Sequence, residues 1–251
     1  MKYPVRKKWG QNFLKDQNIQ HKIVDLLELK KNDSVLEIGP GYGALTKLIA
    51  PICKELTAIE IDPLLSAELK KYNLQNTQIL NQDFLNFEFN NIPNKVKCIG
   101  NLPYYITTPI LFKILEWGDW EKCVFMIQKE VAQRLTSQPK SKNYGRLTVT
   151  AGLLANVKYE FKVSPNVFNP PPEVDSAIIS ITKKKATNYS KEYIELFQKV
   201  VKMAFSSRRK VLNNTIKDYL NESVKDKYSR KRPEECSIED FISIVNSCID
   251  S

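Results

Sequence analysis

Five consecutive residues, Gly100-Asn101-Leu102-Pro103-Tyr104, bring together an amide, two carbonyls in a stiff turn and an aromatic ring. These are the groups needed to hold a flat base by one edge. An exocyclic amine such as that of adenine has its lone pair delocalised into the ring. It is a poor nucleophile until acceptors draw its hydrogens out of the ring plane. Asn101 offers a side-chain oxygen for this, and Pro103, with no N–H and a fixed φ, leaves the carbonyls of Leu102 and Pro103 as further acceptors. Tyr104 supplies a face on which an extruded base can stack. No side-chain base is required, because an amine that has gained a methyl group sheds its proton readily. An ordinary turn after a strand has the same residues, so the motif has to be weighed with the elements around it.

The apolar run at residues 96–99 predicts a buried strand, and Thr107-Thr108-Pro109 predicts the start of a helix over 109–117 with Ile110, Leu111, Ile114 and Leu115 on one side. The motif therefore falls in a strand-to-helix loop, where α/β sheets hold their ligands. A second such loop lies upstream. Ser34-Val35-Leu36-Glu37-Ile38 runs into Gly39-Pro40-Gly41-Tyr42-Gly43, followed by a helical pattern over 44–50. Glycines allow close backbone approach to a ligand, but the spacing is G-x-G-x-G and not the dinucleotide G-x-G-x-x-G, and a purely structural turn reads the same way. Glu60 closes the next strand, 56–61, about twenty residues past the glycines, where a carboxylate can accept bonds from ribose hydroxyls. Asp83, after a strand at 77–80, is either an acceptor for the amino group of a bound adenine or a turn former. Phe168, in the proline-stiffened Phe168-Asn169-Pro170-Pro171-Pro172, is either a second aromatic face beside Asn101 to Tyr104 or a core plug beneath its loop.

Strands at 123–127, 147–154, 159–163 and 177–181 and helices at 19–29 and 128–135, the latter bearing Lys129 and Arg134, complete an alternation that predicts a mostly parallel sheet with helices on both faces. Lys183-Lys184-Lys185 reads as a boundary. Beyond it helical spacing recurs over 193–205 and 211–220, and Ser237 caps a last helix over 238–249. The expected division is an α/β domain over 1–182, with a basic N-terminal arm, and a small all-helical domain over 183–251.

Composition narrows the function classes. The formal net charge is +10, and residues 183–232 hold fifteen Lys and Arg against five Asp and Glu, which accounts for all of it and points to phosphate contacts. Arg208, Arg209 and Lys210, one of the runs of three consecutive cations in this stretch, are the residues expected to bind RNA. A single histidine, His21, makes a Ser-His-Asp hydrolase or a multi-histidine metal site hard to build. Five scattered cysteines without a C-x-x-C pair support neither a disulfide framework nor a zinc site, so no metal is expected. No run approaches a membrane span or a secretory signal, which predicts a cytoplasmic protein.

Gly10-Gln11-Asn12-Phe13-Leu14, Glu37-Ile38-Gly39-Pro40-Gly41, Glu60-Ile61-Asp62, Asn101-Leu102-Pro103-Tyr104 and Phe168-Asn169-Pro170-Pro171, in this order, resemble the signature segments of the ribosomal RNA adenine N6,N6-dimethyltransferase family over nearly the whole chain. The resemblance implies a Rossmann-like domain binding S-adenosyl-L-methionine and a helical domain engaging RNA. It implies that Asn12, Leu14, Gly39, Glu60, Asp83 and Asn101 contact the cofactor, that Asn101, Leu102, Pro103 and Tyr104 hold the target amine, and that Phe168 stacks. Tyr144-Gly145-Arg146-Leu147-Thr148-Val149 and Phe205-Ser206-Ser207-Arg208-Arg209-Lys210 are similar to the small-subunit branch, whose partners would be small-subunit rRNA and a ribosomal assembly intermediate, met by a monomer. Two positions depart from the family: Tyr105 stands where Asn is usual, and Tyr42 where a smaller residue is usual. The rival readings are a large-subunit rRNA methyltransferase of the macrolide-resistance type, a non-catalytic assembly or transcription factor on the same fold, and a nicotinamide oxidoreductase.

Overall fold

The computed structural model describes residues 9–184 and 189–249, so the expected basic arm residues Arg6, Lys7 and Lys8 and the boundary residue Lys185 lie outside the described residues. The strands are β1 (Phe13–Leu14), β2 (Ser34–Ile38), β3 (Glu55–Glu60), β4 (Thr77–Asn81), β5 (Val96–Asn101), β6 (Trp120–Gln128), β7 (Ala155–Val163), β8 (Phe168–Asn169) and β9 (Ser176–Lys183). The helices are α1 (Gln17–Asp25), α2 (Thr46–Ile49), α3 (Pro63–Lys70), α4 (Thr107–Trp117), α5 (Lys129–Leu135), α6 (Arg146–Leu154), α7 (Lys191–Ala204), α8 (Glu222–Tyr228) and α9 (Ile238–Ile249). Among the described residues no helix is long and apolar enough to cross a membrane.

Seven strands form one sheet in the order β4-β3-β2-β5-β6-β9-β7. The ladders from β4 to β6 are parallel, and β6 pairs with β9 antiparallel. The fold is Rossmann-like, as expected. Chain order reverses direction across the sheet between β2 and β5, and a crevice opens at such a switch point beyond the carboxyl ends of the strands. The register sets Ile38 opposite Gly100, so the glycine turn and the Asn101 loop emerge side by side there.

Local signals explain the flanking elements. The side chain of Asp16 caps α1 by accepting from Ile19 N at 3.0 Å. Asp62 caps α3 by accepting from Leu64 N, with Pro63 at the first helical position, where its missing N–H costs nothing. Helix α4 buries Ile110, Leu111, Ile114 and Leu115 and stops at Gly118, whose φ of 80° ends the helix in the left-handed region. Beneath β2, β5 and β6 the core joins Val35, Ile99, Val124 and Met126 to Ile23, Val24 and Leu27 from the first helical segment.

Two compact units result: residues 1–132 with 158–182, and residues 133–157 with 183–251. Residues 133–157, expected in the first domain, thus fall in the second unit. The stretch 147–154, expected as a strand, is helix α6. Seven of its nine residues are buried, so neither a period of two nor one of 3.6 is visible and the β-branched Thr148, Val149 and Thr150 mislead. Residues 211–220 form two short 3₁₀ turns, 212–214 and 217–219, in place of one helix. Ser237 does cap α9: its Oγ accepts from Asp240 N at 3.1 Å while Asp240 Oδ2 accepts from Ser237 N at 3.0 Å.

Candidate active site

The crevice at the switch point is lined by Trp9 to Leu14, Glu37 to Tyr42, Glu60, Ile61, Asp83, Phe84 and Asn101 to Ile106. Five segments far apart in sequence meet in it, all within the first unit. The aromatic Trp9 to Leu14 segment docks into this crevice. Strand β1 pairs antiparallel with β8, Leu14 facing Phe168, and Gln11 Nε2 donates to Asp62 Oδ2 at 2.9 Å.

Asn101 ends β5 with its side chain oriented by the arm: Nδ2 donates to the Asn12 carbonyl at 2.8 Å. With the amide nitrogen engaged, Oδ1 is left as an acceptor, and no donor among the described residues reaches it. Leu102 N donates to Met126 O at 3.0 Å, which ties the corner to β6. The two carbonyls expected to act together differ. Pro103 O already accepts from Ile106 N at 3.2 Å and Thr107 Oγ1 at 3.0 Å, so both its lone pairs serve the start of α4. Among the described residues no backbone donor reaches Leu102 O, which is the carbonyl that remains. Tyr104 Oη lies 2.6 Å from Ser176 Oγ, and partial burial pushes the phenol upward from its usual range, opposed by the Ser176 bond.

The expected second aromatic face is not presented. Phe168 is 1 % exposed and packs in the core with Leu14, Ile23 and Val163, the plug arrangement. The β1–β8 pairing holds its backbone down, and the ring follows the apolar neighbours.

The glycine turn owes its shape to Gly39, Gly41 and Gly43, with φ of 67°, 60° and 78°, a region that side chains rarely adopt. A Cβ on Gly41 would also meet the Phe13 ring at 3.1 Å. Tyr42, the departure from the family pattern, packs its ring 4.5 Å from that of Phe13. Tyr105, the other departure, lies against Gly10 at the mouth, 56 % exposed. Glu60 braces the turn: Oε2 accepts from Gly41 N at 2.9 Å and Oε1 from Asp62 N at 2.9 Å. Burial pushes its carboxyl upward. Asp83 lines the crevice, with Oδ1 capping the following turn through Leu85 N at 2.9 Å. Asn12, Leu14, Gly39, Glu60, Asp83 and Asn101 are therefore brought together in this crevice.

Glu37, quoted in a motif without a role, is the residue that sequence reasoning missed. It is 1 % exposed, accepts from Thr46 Oγ1 at 2.7 Å, and its carboxyl is pushed up to about 7 by burial, with the Glu60 charge adding to the rise. The signal was a lone glutamate inside the apolar run Val35-Leu36-Glu37-Ile38. Folding takes up a proton here between the ordinary 4.5 and about 7. This carboxyl thus costs nothing below the lower value, weakens the fold progressively as pH rises, and does so by a constant amount above the upper one. Glu37→Gln, which keeps the acceptor for Thr46, is expected to gain melting temperature over wild type at pH 8 and not at pH 4.5 in the ligand-free protein. An identical difference at both pH values would contradict this.

In the second unit the three candidate RNA residues separate. Arg208 is not available for phosphate: its Nε pairs with Glu234, Nη1 donates to Lys142 O at 2.6 Å and Nη2 to Ser141 O at 2.9 Å. The guanidinium fork fits two carbonyls and a carboxylate and staples a loop. Arg209 and Lys210 are exposed.

The family profile described as ribosomal RNA adenine dimethylase matches residues 3–250. A ribosomal RNA small subunit methyltransferase A from Francisella tularensis subsp. novicida is 41% identical over 98% of this chain and 98% of its own length. Among solved structures, a dimethyladenosine transferase from Plasmodium falciparum superposes with a TM-score of 0.84 at 27% identity, covering 95% of this chain and 98% of that one. The 23S rRNA methyltransferase ErmE superposes with a TM-score of 0.74, also at 27% identity, over 94% and 98%.

Proposed function

This chain belongs to the ribosomal RNA adenine dimethylase family, and we propose that it methylates N6 of two adjacent adenosines in a terminal hairpin of small-subunit (16S) rRNA, placing two methyl groups on each during ribosome assembly. It is an S-adenosylmethionine-dependent enzyme acting on ribosomal RNA. The small-subunit target, as against the large-subunit one, rests on the 41% identity to a small-subunit methyltransferase over almost the full length of both chains. We further take the working form to be a cytoplasmic monomer acting on an assembly intermediate.

The crevice suits the cofactor. Its glycine turn presents bare backbone at Gly39 and Gly41 to the crevice, and the carboxylates of Glu60 and Asp83, at the ends of successive strands, offer acceptors to hydroxyl and amino groups and a favourable field for a cation. Asn12, Leu14, Gly39, Glu60, Asp83 and Asn101 would hold it. When bound, S-adenosylmethionine supplies an electrophilic methyl group on a sulfonium.

The observation that carries the reading is the Asn101 Nδ2 bond to Asn12 O. It leaves Oδ1 as an acceptor in the crevice that Asn101 and Leu102 both line, and two acceptors at one edge are what an aromatic amine needs. Asn101 Oδ1 and Leu102 O take the two amine hydrogens, drawing the lone pair out of conjugation. Pro103 stiffens the corner, Tyr104 stacks on the base, and Phe168 acts from below by packing the arm against β8. The proton leaves to solvent, so catalysis is orientation and desolvation. The test is transfer of tritiated methyl from the cofactor to purified ribosomal subunits. Label on the small subunit, at dimethylated adenosines in its hydrolysate, is expected; label on the large subunit alone would overturn the target.

The second unit would engage RNA through Arg209 and Lys210. Each, changed to Gln, is expected to lower the slope of log affinity against log salt by about 0.7 to 0.9. Arg208→Gln is expected to lower the melting temperature and leave that slope in place. An unaltered slope in the Arg209→Gln, Lys210→Gln double variant would remove this surface from the interface.

A further inference from the structure

Ser176 opens β9 opposite Gln128 of β6, and its side chain is wholly buried, 0 % exposed. A buried hydroxyl needs a partner, and this one has Tyr104 Oη at 2.6 Å across 72 positions of sequence. A tyrosine ring held only at its Cβ swings on its side-chain torsions, whereas one held also at its hydroxyl has a fixed long axis. The anchor is itself secured. Lys129 N donates to Asp175 O at 3.0 Å, and the Asp175 carboxylate pairs with Lys162 Nζ at 2.9 Å and Lys129 Nζ at 3.4 Å. The residue preceding Ser176 is thereby tied to two other segments of the unit.

We propose that Ser176 is a positioning residue for methyl transfer: it holds the Tyr104 ring at the tilt required to stack the target adenine over Asn101 Oδ1 and Leu102 O, with Asp175, Lys129 and Lys162 fixing the anchor. This rests on the reading of the crevice given above. Ser176 touches no substrate, so its effect passes entirely through the Tyr104 hydroxyl, and that makes it separable from a loss of packing.

The experiment is a double-mutant cycle on turnover at saturating cofactor and small subunits. Ser176→Ala and Tyr104→Phe each remove one end of the bond and are expected to lower kcat about five- to tenfold, with cofactor affinity measured by calorimetry unchanged. The double variant is expected to be no slower than the slower single one. Losses that multiply, or Ser176→Ala turning over at the wild-type rate, would overturn the proposal. If Ser176→Ala does not fold, Ser176→Thr, which retains the hydroxyl, decides in its place: its turnover must exceed that of Tyr104→Phe. A wild-type chain that transfers no label sinks the methyltransferase reading, and this inference with it. An active wild type with additive losses sinks this inference alone.

Discussion

Asn101→Ala is expected to lower methyl transfer by about 10²-fold or more, the usual cost of removing one preorganised polar group from a reacting centre. The effect is large because the Asn101 amide has two jobs. Its nitrogen is committed to Asn12 O, and in the proposed reading that commitment aims its oxygen at the amine. Alanine removes the acceptor and leaves the Asn12 carbonyl without its donor. Asn101→Asp separates the two jobs: it restores an oxygen but cannot donate to Asn12 O, so an oxygen alone should not recover the rate. Both variants are assayed with tritiated cofactor on purified small subunits at saturating concentrations, beside thermal melts. Full activity in Asn101→Ala, with the fold intact, would remove Asn101 from the chemistry and the amine-holding role from the whole corner.

Gly100→Ala should be the most damaging single methyl group in the first unit. Its neighbour across the ladder is Ile38, and a Cβ at residue 100 would lie 2.4 Å from Ile38 O and 3.2 Å from Leu102 Cδ2. The first of these is backbone and cannot rotate away. Relief requires β2 and β5 to part at their carboxyl ends, where the glycine turn and Asn101 are held. Overpacking of this kind costs about 2–3 kcal/mol, which for a chain of this size corresponds to a melting temperature roughly 5–10 °C lower. Cofactor binding is expected to weaken in the same variant, because the turn that receives it shifts with β2. A melting temperature within about 1 °C of wild type would mean that the strands part at little cost, and that their close approach does not define the crevice.

The parts most legible in the sequence were those where one residue type has one physical use. Gly39, Gly41 and Gly43 read as a turn because only glycine takes positive φ without strain, and all three do. Glu60 and Asp83, each after a short apolar run, read as groups at strand ends, and both line the crevice. Legibility failed where burial erased periodicity, as in α6, and where a polar group had a competing partner. Pro103 O looked free because proline cannot donate, yet donors arrive from Ile106 and Thr107. Arg208 looked like part of a phosphate surface because charge counts do not say where a guanidinium points, and Glu234 lies 26 positions away.

By itself the sequence determined the inventory: an amide, a stiff corner and a ring after one strand, glycines after another, and an excess of cations in the last third. The tertiary structure alone decided which of those groups remain available. Hydrogen-bonding capacity is a property of a residue type, whereas its consumption depends on neighbours brought close only by the sheet register and the docked arm. Asn12 O reaches Asn101 across 89 positions and Ser176 reaches Tyr104 across 72, and no local pattern of residues encodes either meeting.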